Sequence, residues 1–281
     1  MKLAQYWIAR GVLATPALAP LYGRLLDLAV PRLRRIALRN LELAGYGEGD
    51  RMRIADGVFR SIGRLIGAFA RFPKMSPQTL ARWIRYEGLE HFTAAASRKR
   101  GVLIATGHLG NWELSAFAHA WMSGPMNIVV RPLDNPKIDA LVARRRTLSG
   151  NRILSKREAA REIFRALERG EAVGILVDQN TSPEEGVFID FFGTKACAGT
   201  AFVKFAHRTG AAVVPGFALW EEKERRHVLR FYPEIEMTGD VLADTQRVHR
   251  FLEGVIREYP DQWLWIHRRW KTRPAGEPGL Y

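Results

Sequence analysis

Apolar residues recur at helical spacing over residues 32–44 and 51–71, with Val58, Ile62, Leu65, Ile66 and Phe69 on one face and arginines between them. This period predicts amphipathic helices. Pro73 and Pro77 break the pattern, and residues 81–96 are mixed. From Val102 onward the period changes. Short apolar runs at 102–106, 126–130, 172–177, 212–219 and 228–232 alternate with helical stretches. Those stretches are 111–122, 136–148, 157–169, 199–208 and 241–259. Buried strands alternating with helices predict an α/β fold, with a mixed, largely parallel central sheet flanked by helices. The partition that follows is an N-terminal helical cap over residues 1–75 and an α/β domain over 76–281, packed as one unit.

Thirteen uncharged residues, 11–23, lie between Arg10 and Arg24 and are interrupted by Pro16 and Pro20. A spanning helix needs about 20 apolar residues, so this run is too short. Arg24, Arg32, Arg34, Arg35 and Arg39 follow without a signal-peptide cleavage site. With Tyr6 and Trp7 near its start, the segment reads as a helix lying in a membrane interface or as one packed on the domain. Composition adds little to the fold: 281 residues with 47% hydrophobic and 26% charged describe a folded globular chain. Charge adds more. Lys and Arg number 43 against 29 Asp and Glu, and residues 1–100 carry 18 of the former and only 7 of the latter. A basic N-terminal third suits nucleic acid, anionic headgroups or an acidic protein, or is a solvated surface. The single cysteine, Cys197, excludes an internal disulfide and a multi-cysteine zinc site, and reads as a small packed residue.

In open α/β sheets ligands gather beyond the carboxyl ends of the strands. Three of the predicted strands lead to polar residues there: His108, Arg131 and Asp178. The sharpest local feature is His108-Leu109-Gly110-Asn111-Trp112-Glu113. A histidine leaves a strand, Gly110 allows a tight turn, Asn111 is placed to cap the next helix, and Glu113 falls in its first turn. Of the seven histidines only His108 has an acid five positions later. A carboxylate on one imidazole nitrogen leaves the other free as a base. The plainer alternative is a histidine at a helix cap and an acid favoured by the helix dipole. His-Glu-x-x-His, Gly-x-Ser-x-Gly, P-loop and Gly-x-Gly-x-x-Gly elements are missing from the sequence. No metal or cofactor is expected.

The chain resembles the lipid A biosynthesis acyltransferases, the lauroyl/myristoyl transferase family within the lysophospholipid acyltransferase superfamily. The resemblance is carried by residues 105–113, by Val129-Val130-Arg131-Pro132-Leu133-Asp134-Asn135-Pro136, by Val177-Asp178-Gln179-Asn180 with residues 188–196 and 212–217, and by Trp263-Leu264-Trp265-Ile266-His267-Arg268-Arg269-Trp270-Lys271. It spans roughly residues 35–273. It implies a glycerolipid-acyltransferase-like sheet and transfer of a fatty acyl group from a thioester to a hydroxyl of a membrane glycolipid. On that resemblance His108 is the general base and Glu113 orients it. Arg131 and Asp178 belong to the site, alternatively as an ion pair with each other or as surface charges at strand ends. Gly110, Asn111, Phe192, Gly193 and Arg268 are further substrate-site candidates. Phe191, Phe192 and Gly193 fit a loop lining an acyl or glycolipid site, with buried packing as the competing reading, and for Arg268 the competing reading is a solvated basic face.

The implied partners are acyl carrier protein or acyl-CoA as donor, a glycolipid acceptor and the anionic inner-membrane surface. The implied place is the cytoplasmic face of the inner membrane, peripherally or interfacially held, with residues 1–75 facing the lipid. Family members usually begin with a membrane-spanning helix, and here that place is taken by the short proline-broken segment. Two other readings stay open: an acyl-CoA-dependent transferase of another glycolipid or lysophospholipid, and a non-catalytic basic lipid- or nucleic-acid-binding protein. Nucleic acid is not expected on the first two.

Overall fold

The computed structural model describes residues 2–155 and 159–281. Four helices open the chain: α1 (Lys2–Ala14), α2 (Ala19–Ala29), α3 (Pro31–Leu43) and α4 (Glu48–Arg71). A short α5 (Pro77–Leu80), β1 (Ile84–Glu87) and α6 (Leu89–Ser97) lead into the alternating part. That part runs β2 (Val102–Thr106), α7 (Trp112–Ser123), β3 (Asn127–Val130), α8 (Pro136–Arg146), β4 (Arg152–Ser155), α9 (Ala159–Glu168) and β5 (Ala172–Leu176). It continues with β6 (Gly186–Phe191), β7 (Thr194–Gly199), α10 (Ala201–Thr209), β8 (Ala212–Glu221), β9 (Arg226–Phe231) and α11 (Val241–Glu258). The α/β expectation holds. Of the helix expected at 157–169, residues 157 and 158 lie outside the described residues.

Seven strands form one sheet in the order β1-β9-β8-β2-β5-β3-β4. Every neighbouring pair is parallel except β8 with β9. The five strands β8, β2, β5, β3 and β4 therefore share one carboxyl edge. β2 is apolar and buried along most of its length because helices cover both faces of the sheet. On one face Phe69, Phe72, Phe92, Leu114 and Phe117 pack on the strands, and on the other Ile163, Leu167, Phe202 and Val203 do so.

A third cluster fills the space beyond the carboxyl edge. It joins Leu41, Ile54 and Val58 of the N-terminal helices to Leu109, Phe191, Phe192 and the tryptophans 263, 265 and 270. The hairpin β6–β7 belongs here and not in the main sheet. The apolar runs of the sequence do not announce this hairpin, because its apolar residues serve a tryptophan cluster that the C-terminal segment supplies. Strands β1 and β4 were also unmarked, each being only four residues long and mostly half-buried.

The N-terminal helices settle a choice that the sequence left open. The inner side of α2 buries Ala19 and Gly23 against α4, close enough that a Cβ on Gly23 would stand 2.1 Å from the Phe59 carbonyl oxygen. Its outer side leaves Leu21, Leu25 and Leu28 exposed, as is Leu18 just before it, and α1 buries no residue. The segment is both packed on the domain and apolar toward the outside. Among the described residues no helix is long and apolar enough to cross a membrane.

Candidate active site

β2 and β5 run side by side, and Val177 N–H donates to the Thr106 carbonyl at 2.9 Å, carrying the pairing one step past the strands. This brings Asp178 beside the turn that follows β2. A Cβ on Gly107 would stand 3.2 Å from the Asp178 carboxyl carbon, so that carboxylate occupies the space a side chain there would fill. The His108 backbone N–H donates to Asp178 Oδ2 at 2.8 Å, and His108 Nδ1 lies 2.9 Å from Asp178 Oδ1. Trp263 Nε1 donates to Oδ2 at 2.8 Å. One carboxylate thus holds the histidine at backbone and ring together, and a buried indole holds the carboxylate.

The electrostatics follow from this geometry. Asp178 is 2% exposed. Burial alone would raise its pKa, yet the neighbouring imidazole charge and three hydrogen bonds outweigh that cost and hold it below the ordinary carboxylate range. Burial likewise lowers the His108 pKa, and the attraction and hydrogen bond of Asp178, with a smaller push from Glu113, more than reverse it. His108 therefore titrates above its usual value. With an anion at Nδ1, that nitrogen carries the proton in the neutral ring, and Nε2 keeps a lone pair. The ring stays one-fifth exposed and rests edge-on against Trp112, with 4.9 Å between centroids.

Glu113 is placed differently from expectation. The carboxylate on the His108 ring is Asp178, whereas Glu113 faces Arg146 at the end of α8, in a two-pronged pair with Nη2–Oε1 at 2.5 Å and Nε–Oε2 at 2.9 Å. The reason is direction. Asn111 caps α7 by accepting the Leu114 N–H at 3.0 Å, and in the turn so formed Glu113 points toward α8. Glu113 and Arg146 still act on His108 through space, with opposite signs.

Sequence comparison places the chain in a known family. The family model for bacterial lipid A biosynthesis acyltransferases matches residues 5–272. The chain belongs to that family. It is 30% identical to the lipid A biosynthesis lauroyltransferase of Escherichia coli strain K12, over 92% of this chain and 86% of the relative. It is 30% identical to the palmitoleoyltransferase of the same strain, over 98% and 94%. Against the myristoyltransferase of that strain the figures are 25%, 87% and 77%. The protein is an acyltransferase.

The remaining candidates of this acyltransferase fall into two groups. Arg131 follows β3 on the same carboxyl edge, is exposed, and takes no part in the ion pairs of the described residues. Its alternative as an ion pair with Asp178 does not occur, because Asp178 is taken by His108 and Trp263. Gly110 and Asn111 shape the turn. Gly110 has φ +65°, and a Cβ there would stand 2.1 Å from the Ala218 carbonyl oxygen. Its N–H donates to Gln262 and that of Asn111 to Ala218, so these amides are spent inside the fold.

Phe192 and Gly193 form the tip of the β6–β7 hairpin, and Phe192 is buried against Trp263 and Trp265, not lining an open site. Its φ of +57° is unusual for a bulky residue and is held by that packing and by its N–H donating to Glu253 at 2.8 Å. Arg268 is half-buried with its guanidinium over the Tyr281 ring, 5.6 Å from the centroid.

Two residues at the heart of the arrangement were not marked as site candidates. Arg146 sits in the run Arg144-Arg145-Arg146, where one dimension cannot tell which arginine turns inward. Trp263 lies in the C-terminal stretch already quoted, which also pins the strand-end loop. Asn180 N–H donates to His267 Nε2 at 3.1 Å, and Thr272 N–H to Asn180 Oδ1 at 3.0 Å. Burial holds His267 neutral, its pKa lowered to about 4, so it can serve as that acceptor. Among the described residues no cluster of His, Cys, Asp and Glu could hold a metal ion.

Proposed function

We propose that the protein transfers a fatty acyl group from a thioester to a hydroxyl of a lipid A precursor, with His108 as general base. The supporting observation is the His108–Asp178 pair at the carboxyl edge of the sheet, with Nδ1 engaged and Nε2 left as the outward lone pair. Nε2 takes the proton of the acceptor hydroxyl as its oxygen attacks the thioester carbonyl carbon. The carbonyl π pair moves to oxygen. Collapse of the tetrahedral species breaks the C–S bond, and the departing thiolate recovers the proton from the imidazolium. Asp178 steadies the imidazolium throughout. Glu113 and Arg146 act as positioning residues that fix the first turn of α7 beneath the base. Proton transfer of this kind contributes about 10²–10⁴-fold.

The reading includes a membrane surface and an acidic donor. Leu3, Trp7, Ile8, Leu18, Leu21, Leu25 and Leu28 form an exposed apolar set on α1, α2 and the turn between them, with Arg10, Arg24, Arg32 and Arg35 exposed around it. Apolar side chains ringed by cations suit the interface of an anionic leaflet, here the cytoplasmic face of the inner membrane. The same excess of basic residues suits acyl carrier protein, an acidic donor. Arg131, exposed at the strand edge, suits a phosphate of the acceptor.

The decisive experiment is a mass-spectrometric acyl-transfer assay in detergent. Acyl-carrier-protein and acyl-CoA donors are each offered with a lipid A precursor or a mixed lipid extract. A product heavier by one acyl group, lost in folded His108→Ala, is the expected result. Full activity in that variant would remove His108 from the reaction, and a product formed only with acyl-CoA and a lysophospholipid would replace donor and acceptor together.

A further inference from the structure

Acyl transfer creates a negative oxygen on the former carbonyl, and something must donate to it. Four amides next to the base are committed elsewhere: those of His108, Gly110, Asn111 and Leu114 donate to Asp178, Gln262, Ala218 and the Asn111 side chain. The Asn180 amide is likewise spent on His267. Between buried Asp178 and pinned Asn180 stands one exposed residue, Gln179. Its carboxamide reaches back so that Nε2 lies 3.5 Å from His108 Nε2, on the side of the ring away from Asp178.

We propose that Gln179 is a catalytic residue whose carboxamide N–H donates to the developing oxyanion. This assignment rests on the acyl-transfer reading above. The tautomer set by Asp178 makes His108 Nε2 an acceptor, so the carboxamide turns its N–H edge, and not its carbonyl, toward that nitrogen. When the acceptor hydroxyl binds at Nε2, its oxygen stands about 2.8 Å from the ring. The carbonyl under attack then sits against the group that already flanks Nε2. The donor swings from the idle base to the new oxygen without leaving the site. The hydroxyl takes the one lone pair of Nε2 when it binds, and the displaced carboxamide N–H stands free beside the carbonyl oxygen on which the negative charge then appears.

The backbone favours this precision. Asp178 is locked by the imidazole and Trp263, and Asn180 by His267 and Thr272, with Asn180 Nδ2 to Thr272 Oγ1 at 2.9 Å. The Gln179 side chain is exposed between two residues that hydrogen bonds hold on either side. A neutral donor is also the suitable kind here. A cation at that distance would oppose the imidazolium that must form, whereas an amide stabilises the oxyanion without that repulsion.

The test is steady-state kinetics of wild type, Gln179→Ala and Gln179→Glu in the transfer assay, with acyl carrier protein as donor and the lipid A precursor as acceptor. Both variants alter an exposed side chain, and equal Tm values check that folding is unchanged. The expected result is a fall in kcat of about 10²–10³-fold in each, with KM for both substrates within about threefold. Gln179→Ala should also leave the acid limb of the pH profile where it is in wild type, which separates a lost oxyanion donor from a disturbed base. Retention of kcat within threefold in both variants overturns the assignment. So does a rise in acceptor KM at constant kcat, which makes Gln179 a binding group. Wild-type protein that transfers no acyl group from this donor or from acyl-CoA overturns the reaction and this residue's role with it. An active wild type with undiminished variants overturns the role alone.

Discussion

Two histidine–aspartate pairs lie among the described residues, and they are nearly alike in length. His108 Nδ1 is 2.9 Å from Asp178 Oδ1, and His207 Nε2 is 2.7 Å from Asp244 Oδ2. Both carboxylates are buried and both rings keep about the same exposure. The pairs differ in what surrounds them. Asp244 also accepts from the Thr238 amide and hydroxyl and from the Gly239 amide, so it ties the loop before α11. His207 closes that knot from the last turn of α10. Asp178 holds its histidine through the backbone and through Nδ1, at the carboxyl edge of the parallel strands, and leaves Nε2 facing Gln179 and the outside. The pair distance does not make a base. The engaged nitrogen, the fold position and what the free nitrogen meets do so.

The largest expected effect is on the first pair. His108→Ala should cost at least 10²–10⁴-fold in kcat with folding retained, and His207→Ala should leave kcat within twofold, a contrast read directly in the transfer assay. If the two losses proved equal, the distinction drawn here would collapse.

Asp178→Asn comes next, with a large kcat loss and a change in pH dependence whose sign is fixed. Asp178 is what raises the His108 pKa against burial. In wild type the neutral base forms only as pH rises through that raised value. Without the carboxylate, burial dominates and the pKa drops, so the acid limb of kcat/KM should move to lower pH while its plateau falls. An acid limb that stays in place would assign it to another group.

Glu113 and Arg146 sharpen the comparison in a different way, because each leaves the other's charge stranded when removed. Glu113→Gln and Arg146→Met should each cost about 1–3 kcal/mol of stability, and the double variant should lose less than the sum. Urea denaturation of the four proteins reads this. Strict additivity would mean that the pair contributes nothing.

The smallest effect belongs to the structural pair. His207→Ala should lower stability by about 1 kcal/mol, a few degrees or less in Tm for a chain of this size.

Much of the site's location was legible one residue at a time. The apolar run 102–106 ending at His108, and the run 172–177 ending at Asp178, announced two strand ends that topology then made neighbours. The turn Gly110-Asn111 announced a capped helix, and the cap is there. What was not legible was the direction of side chains. Glu113 is five residues from His108, which brought the two together on paper, while Asp178 is seventy away and makes the contact. Phe192 reads as a loop residue beside a glycine, and it is buried because tryptophans some seventy residues later close over it.

The sequence by itself determined the element types, the α/β class, the polarised charge and the histidine at a strand end. Each of these depends on local period, propensity or composition, which act over a few residues. Only the tertiary structure decided which carboxylate reaches the imidazole, which amides are spent, which arginine turns inward and which face of α2 is left apolar to the outside. Those outcomes depend on sheet order and on where the C-terminal segment packs, contacts between residues distant in the chain that no local pattern encodes.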